Sequence, residues 1–431
     1  MSQNVRRAPS AIAILTAVSA LAAAVFAVRT GWPLRYYDEN QYLELAARLA
    51  HAEGYSLFGQ SSAYRPPAWP ALLAPFVAIV GPSPLLLLVP VALLALSALF
   101  SGLIVIRITG SPWGAVAAPL TLLYPLNLYT ASTLYPQAFA TALILGIWLV
   151  IVQATESWRS GPQLRIWQAA LVGLMAAGLA LAVPSLVFTG VVVGAWAIWS
   201  QTRARWRTAL AMAVGFGVPV LAWTIRNLVE LHAFVPFSTS SGENLLYGNN
   251  PNATATSGVA VDVGSILTVG NSLDEVARDK YYQAQAWSWI SQHPWDAIVL
   301  WFAKMANYFN PYNAPVTAGQ SSTLQLVGGW VGFGLVVAAV VARLILRRTV
   351  PVWRSEWLFL ALFVLNAPFM AVFFTRTRFR QPLDASLVTI GAVAVTIGLT
   401  LLFERRAARA AAPGRWVSVA PAAPAGKGGP T

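Results

Sequence analysis

Asp38 and Glu39 stand side by side in Tyr36-Tyr37-Asp38-Glu39-Asn40-Gln41, a few residues beyond an apolar run that ends at Arg29. A carboxylate held there can take a proton from a hydroxyl or hold that hydroxyl for attack. The same residues also suit structure, because Asp38 as N-cap with Gln41 at the third helical position makes a capping box. The two readings are compatible, since a capped carboxylate is a fixed one. A second group is basic: Arg376, Arg378 and Arg380 alternate through Thr375-Arg376-Thr377-Arg378-Phe379-Arg380-Gln381-Pro382. Guanidinium groups grip phosphate with a bidentate fork. Arg65, in Tyr64-Arg65-Pro66-Pro67, and Arg226, in Trp223-Thr224-Ile225-Arg226-Asn227, are either interfacial anchors or further contacts to the same anion. Lys304 lies in an aromatic-rich segment, where a lysine more often snorkels than binds.

The elements that position these residues follow from composition. Of 431 residues, 57% are hydrophobic and 10% charged, against about 25% charged in a soluble domain. Such a chain cannot cover a water-facing surface, so it is a polytopic membrane protein. Cysteine is absent, which excludes disulfides, a thiol nucleophile and a cysteine metal site. The formal charge of +13 does not indicate nucleic acid. The basic residues lie mainly in short loops between apolar runs, as the positive-inside bias requires. Their near-exclusive use of arginine, with only Lys280, Lys304 and Lys427 as exceptions, suits a GC-rich bacterial genome.

A crossing helix needs about 20 apolar residues. Candidate spans are Ser10–Val28, Pro84–Ile106, Pro112–Tyr129, Tyr135–Ala154, Ile166–Ala182, Ser185–Ser200, Thr208–Thr224, Leu324–Leu346, Trp357–Phe374 and Leu383–Phe403. Val183-Pro184 either kinks one helix or separates two. The first run is expected to be retained, not cleaved as a signal peptide. Pro66–Val80 is too short and proline-marked to be assigned as a span and reads as either interfacial or re-entrant; counting it as a span would move most arginine-rich loops to the wrong side. Those loops then mark the cytoplasm, while nearly all acids and His51, His232 and His293 fall outside. Asp38–His51 carries Tyr42, Leu45, Ala46 and Leu49 on one face and reads as an interfacial helix. The expected fold is all-α: a polytopic bundle of about 10–12 spans with interfacial helices in the first outer loop. Residues 1–403 form the membrane domain, with outer loops at about 29–80 and 225–323, and 404–431 form a disordered cytoplasmic tail.

These segments resemble the GT-C type of polytopic glycosyltransferase, in particular the bacterial protein O-mannosyltransferase and aminoarabinose-transferase relatives. The matching pieces are, in order, Asp38-Glu39-Asn40-Gln41-Tyr42, Tyr64-Arg65-Pro66-Pro67-Ala68-Trp69-Pro70, Tyr124-Pro125, and Ser132-Thr133-Leu134-Tyr135-Pro136-Gln137. They continue with Trp223–Asn227, Ser241-Gly242-Glu243-Asn244-Leu245-Leu246-Tyr247-Gly248-Asn249-Asn250-Pro251, Ile290–Pro294 with Lys304, and Arg378–Leu383. The resemblance implies that Asp38 is the catalytic carboxylate and that the donor is a polyprenyl-phosphate sugar. Relatives often carry Glu where Gln137 stands, which leaves any role of that acid in doubt.

The expected reaction is sugar transfer to a glycan, lipid or protein acceptor at the extracytoplasmic face of the bacterial cytoplasmic membrane. Asp38 and Glu39 would be catalytic. Arg65, Arg226, Lys304, Arg376, Arg378 and Arg380 would bind substrate. No nucleic acid, metal ligand or cofactor is implied, and dependence on a divalent metal is not legible. The alternatives are a lipid-linked saccharide carrier or flippase and a non-catalytic assembly subunit. A carrier needs ionisable groups near the membrane midplane, where this chain has few. Topology is directly testable. A cysteine at Ser257 should react with an impermeant thiol reagent in intact cells and one at Ser160 should not; reversed labelling overturns the assignment.

Overall fold

Apolar runs become helices here because in hydrocarbon each backbone N–H must bond within its own segment. The computed structural model describes residues 3–312 and 323–411, and among them every element but one two-residue hairpin is helical. The chain begins with α1 (Gln3–Thr30), α2 (Tyr37–Ala50), the hairpin of β1 (Ser56–Leu57) and β2 (Gln60–Ser61), and α3 (Ala68–Val80). Next come α4 (Leu88–Thr109), α5 (Ala117–Leu122), α6 (Pro125–Ala131), α7 (Gln137–Gln153), α8 (Ile166–Ala182), α9 (Val187–Ser200) and α10 (Arg205–Glu230). A long connection carries α11 (Ser241–Gly248), α12 (Ser265–Asn271), α13 (Glu275–Gln292) and α14 (Pro294–Tyr308). The chain closes with α15 (Thr323–Ile345), α16 (Arg354–Met370) and α17 (Thr377–Ala411).

Among the described residues, five helical stretches are long and apolar enough to cross a membrane: Ser10–Thr30, Pro84–Thr109, Arg205–Glu230, Leu326–Arg348 and Thr377–Ala407. The protein is an integral membrane protein with an all-α polytopic bundle. α7 is its central post, buried along its length and packed against α4, α8 and α17. There Trp148 stacks on Phe359 of α16 with ring centroids 4.4 Å apart.

Contacts between helix ends define two poles. At one, Arg35 reaches Ser132, Arg226 of α10 reaches Ser62, and Arg378 of α17 reaches Asp38. At the other, Arg107 of α4 donates to the Thr155 carbonyl beyond α7. Arg343 of α15 there grips Glu356 of α16 through Nε–Oε1 at 2.7 Å and Nη2–Oε2 at 2.8 Å. α3 begins at the first pole, where Trp69 donates to the Leu134 carbonyl. α4 is entered at that same pole, since the Leu87 side chain lies against Gly31. α3 therefore returns to that pole, and it packs on α2. Val183-Pro184 separates two helices: Gln163 before α8 and Ser200 at the end of α9 meet at the second pole, with Gln163 Nε2 2.8 Å from the Ser200 carbonyl. Pro112–Tyr129 is not one helix but a series broken between α5 and α6, where Pro125 starts a new helix. α17 runs on to Ala411, past the boundary expected at Phe403. The rest of the expected tail, residues 412–431, lies outside the described residues.

α8 and α10 approach most closely through glycine. A Cβ at Gly173 would lie 2.2 Å from the Met212 carbonyl oxygen, and one at Gly215 would lie 2.1 Å from that of Ala170. Small residues permit such backbone contact in a membrane. Gly215→Val should therefore force the pair apart at a cost of about 1–3 kcal/mol, seen as a lower thermal midpoint in detergent. An unchanged midpoint would contradict this packing.

Candidate active site

The site starts from how α2 is held. The helix begins at Tyr37, with Tyr36 in extended conformation as N-cap (φ −119°, ψ 143°), so Glu39 occupies the third helical position. Its Oε2 accepts from the backbone N–H groups of Tyr36 at 2.9 Å and Arg35 at 3.1 Å, and its Oε1 from that of Leu134 at 2.8 Å. Glu39 is fully buried. Burial pushes its pKa up, and the Leu134, Tyr36 and Arg35 N–H groups only partly offset that. The capping role expected of Asp38 and Gln41 thus belongs to Tyr36 and Glu39, because the helix starts two residues earlier than the capping-box reading assumes. Around this anchor Arg35 donates to the Ser132 carbonyl at 2.8 Å, and the Tyr36 and Tyr129 hydroxyls bond to each other.

Asp38 is thereby released from capping. Its Oδ1 accepts from Arg65 Nη2 at 2.5 Å, and its Oδ2 accepts from Arg378 Nη1 at 3.1 Å. The side chains are 22% exposed for Asp38, 15% for Arg65 and 33% for Arg378, so the trio is part-buried, with Arg378 the most exposed of the three. Burial pushes the Asp38 carboxyl up, but the Arg65 and Arg378 guanidiniums outweigh it and hold it below its ordinary value of 3.8. Gln41 and tyrosines set the geometry. Gln41 Oε1 accepts from Arg65 Nε at 2.8 Å and Nη2 at 2.7 Å. The Arg65 guanidinium lies between the Tyr42 and Tyr64 rings, 5.4 Å and 4.8 Å from their centroids. Arg378 also donates to the Tyr135 hydroxyl at 3.0 Å and lies 5.1 Å from that ring's centre. Glu243 of α11 closes one wall, accepting from Tyr64 Oη at 2.5 Å and Tyr247 Oη at 2.8 Å.

The other expected site residues lie elsewhere. Arg226 donates to the Ser62 carbonyl at 2.8 Å and the Tyr55 carbonyl at 2.6 Å, fastening the first connection to α10. Arg376 donates to the Ser257 carbonyl at 3.0 Å. Arg380 points into the bundle at 1% exposure, with Nε 2.9 Å from Asp384 Oδ1 and Nη1 2.5 Å from the Tyr308 carbonyl. Lys304 is fully buried and reaches the Gly248 and Phe373 carbonyls, both at 2.8 Å. Gln137 is buried too, and its Oε1 has no hydrogen-bond partner among the described residues. Of the expected set, the structure brings together Asp38, Arg65 and Arg378, with Glu39 behind them. Gln41, Tyr42, Tyr64, Tyr135 and Glu243 join them without having been expected in the site, Gln41 as a partner of Arg65 instead of the capping residue it was read as. Among the described residues no three His, Asp or Glu side chains gather as a metal site would need, so no residues are assigned to a metal.

Two guanidiniums on one carboxylate leave a net positive crevice, suited to an anion. Two outcomes separate Glu39 from Asp38. Glu39→Ala should lower stability by about 1–3 kcal/mol, since it strands buried N–H donors. For Asp38 the folded pKa lies below the unfolded one. Its contribution to stability is therefore complete above pH 3.8 and is lost as pH falls through the folded value. The difference in thermal midpoint between wild type and Asp38→Asn should shrink in that acid window; a constant difference contradicts the ion pairing.

Residues 2–279 match the model of a family described as Family of unknown function (DUF6541). No curated protein sequence matches the chain. Among solved structures the fold is similar to the oligosaccharyltransferase of Archaeoglobus fulgidus in its apo form, with a TM-score of 0.52 and 13% identity over 92% of this chain. The chain spans 52% of that protein's length, about half. ArnT of Cupriavidus metallidurans bound to undecaprenyl phosphate gives a TM-score of 0.43 and 14% identity, covering 90% of this chain and 78% of that one. The fold is thus GT-C-like, and by sequence the chain belongs to the family of unknown function DUF6541.

Proposed function

We propose that the protein is a membrane glycosyltransferase that moves a sugar from a polyprenyl-phosphate donor to an acceptor at the extracytoplasmic face. The observation that carries this reading is the part-buried Asp38 carboxylate shared between Arg65 and Arg378. The GT-C-like fold supports it, as does the likeness to an oligosaccharyltransferase. The acceptor is a glycan, lipid or protein hydroxyl. In the reaction its oxygen forms the new bond to the anomeric carbon while the bond from that carbon to the phosphate oxygen breaks. The phosphate leaves with the electron pair, and its growing charge is met by Arg378 and Arg65. Asp38 receives the acceptor proton. Direct displacement inverts the anomeric centre, as the resemblance to GT-C enzymes implies.

The electrostatics give the order of events. With both arginines on it, Asp38 is ionised but a weak base, and a general base works best with a pKa near the working pH. A phosphate that engages the open edge of Arg378 competes with Asp38 for that guanidinium. The carboxylate then loses a cationic partner and becomes more basic when the donor is in place. Arg380, Arg226 and Lys304 serve the scaffold in this reading, and Glu39 acts by fixing Asp38.

Two variants should part binding from chemistry. Arg378→Ala should weaken binding of a polyprenyl phosphate by about 2–5 kcal/mol, the range for truncating a partner of a buried charge pair. Arg378→Lys should recover only part, since it lacks the fork. Asp38→Asn should bind that lipid at least as tightly, because the arginines lose their internal anion, yet turn over about 10²–10⁴ more slowly. The measurements are lipid affinity in nanodiscs and transfer from a radiolabelled polyprenyl-phosphate sugar. Wild-type transfer by Asp38→Asn, or unaltered lipid affinity in Arg378→Ala, counts against the assignment.

A further inference from the structure

A lysine buried without a carboxylate is costly, because its charge loses water and gains no counter-ion. Lys304 of α14 is such a residue: it is 0% exposed, and no carboxylate pairs with it among the described residues. Burial pushes its pKa down to about 7. Its Nζ is held by three oxygens instead: the Gly248 carbonyl at 2.8 Å, Asn249 Oδ1 at 3.2 Å and the Phe373 carbonyl at 2.8 Å. The first two stand at the C-terminal end of α11, where helix carbonyls carry partial negative charge. The third lies in the link between α16 and α17.

Those two segments are the walls of the arginine crevice. α11 carries Glu243, which holds Tyr64, whose ring lies under Arg65. The link leads through Thr375, whose hydroxyl donates to the Lys304 carbonyl at 3.1 Å, to Arg378. The walls also touch directly: Asn249 Nδ2 donates to the Val372 carbonyl at 2.8 Å, and a Cβ on Gly248 would lie 1.9 Å from the Phe373 carbonyl oxygen. The contacts close a ring from Asp38 through Arg65, Tyr64, Glu243, α11, Lys304 and the link to Arg378, and so back to Asp38.

We infer that Lys304 is a positioning residue that joins the α11 wall to the α16–α17 link and thereby sets the separation of Arg65 and Arg378. It does so without contact to either arginine. The consequence for phosphate binding rests on the function proposed above; the mechanical coupling does not. Lys304→Met keeps the side chain's approximate volume and removes all three donors. Lys304→Arg keeps charge and donors. Asn249→Ala leaves Lys304 in place and removes one acceptor together with the Val372 tie.

The test is amide hydrogen exchange and polyprenyl monophosphate affinity, both on the full chain in nanodiscs. In Lys304→Met, exchange should rise together in segments 242–250 and 371–378, and the lipid Kd should rise about tenfold, equivalent to about 1.4 kcal/mol. Lys304→Arg should restore coordinated protection and most of the affinity. Asn249→Ala should loosen the same two segments to a smaller degree. The inference is overturned if Lys304→Met leaves either segment at wild-type exchange. It is equally overturned if that variant unfolds while Asn249→Ala leaves both segments unchanged. If wild type itself does not bind the lipid, the proposed function falls, and the exchange results still decide the role of Lys304.

Discussion

One carboxylate serving two guanidiniums is the interaction on which the rest of this molecule depends. Asp38 comes from the first turn of α2, Arg65 from the connection before α3, and Arg378 from the first turn of α17. Each has to be held against its own entropy and against the pull of water on charge. Glu39 holds the first by accepting from three backbone N–H groups. Gln41 and two tyrosine rings hold the second. Tyr135 and the anchored link before α17 hold the third. Adjacent acids therefore divide two tasks: Glu39 is buried and structural, while Asp38 faces the crevice and stays ionised.

The distribution of charge follows the same logic along the bundle. Two arginines buried away from Asp38 are neutralised where they stand. Arg343 and Glu356 form a bidentate pair at the far pole, and Arg380 and Asp384 pair at the entry to α17. Such pairs contribute little net stability against an apolar alternative, but breaking one strands the partner. The first joins α15 to α16; the second lies within α17, where Arg380 also ties the helix to the Tyr308 carbonyl of α14. The crevice differs in having cationic excess and a partly exposed arginine, which are the properties an anionic group can use.

Much of the bundle was legible because hydrocarbon imposes strict rules on length and hydrogen bonding. α1, α4, α8, α10 and α15 fall close to the expected spans, and the thirteen-residue α3 packs on α2. The site was legible in part. Asp38, Arg65 and Arg378 stood out by type and position, but their mutual contact joins residues far apart in the chain, which periodicity cannot report. The alternating arginines looked equivalent in sequence. A helix starting at Thr377 separates them, turning Arg380 towards Asp384 four residues on, and that spacing was a readable signal of an internal pair. The capping role went to the neighbouring acid because a two-residue shift in helix start moves the third helical position from Gln41 to Glu39, and local sequence does not resolve such a shift. Glu243 had no signal beyond its place in a matching segment, and the capping signal at Gln41 pointed to another role, since their partners Tyr64 and Arg65 are distant.

The central claim is that Arg378 is shared between Asp38 and an incoming lipid phosphate. The most direct measurement is an experimental structure of the wild-type protein in nanodiscs containing a polyprenyl monophosphate. The account predicts phosphate oxygens within hydrogen-bond distance of the Arg378 guanidinium, and an Asp38–Arg378 separation longer than the 3.1 Å seen here. Lipid phosphate bound away from Arg378, or bound there with the Asp38 pair intact, would contradict it.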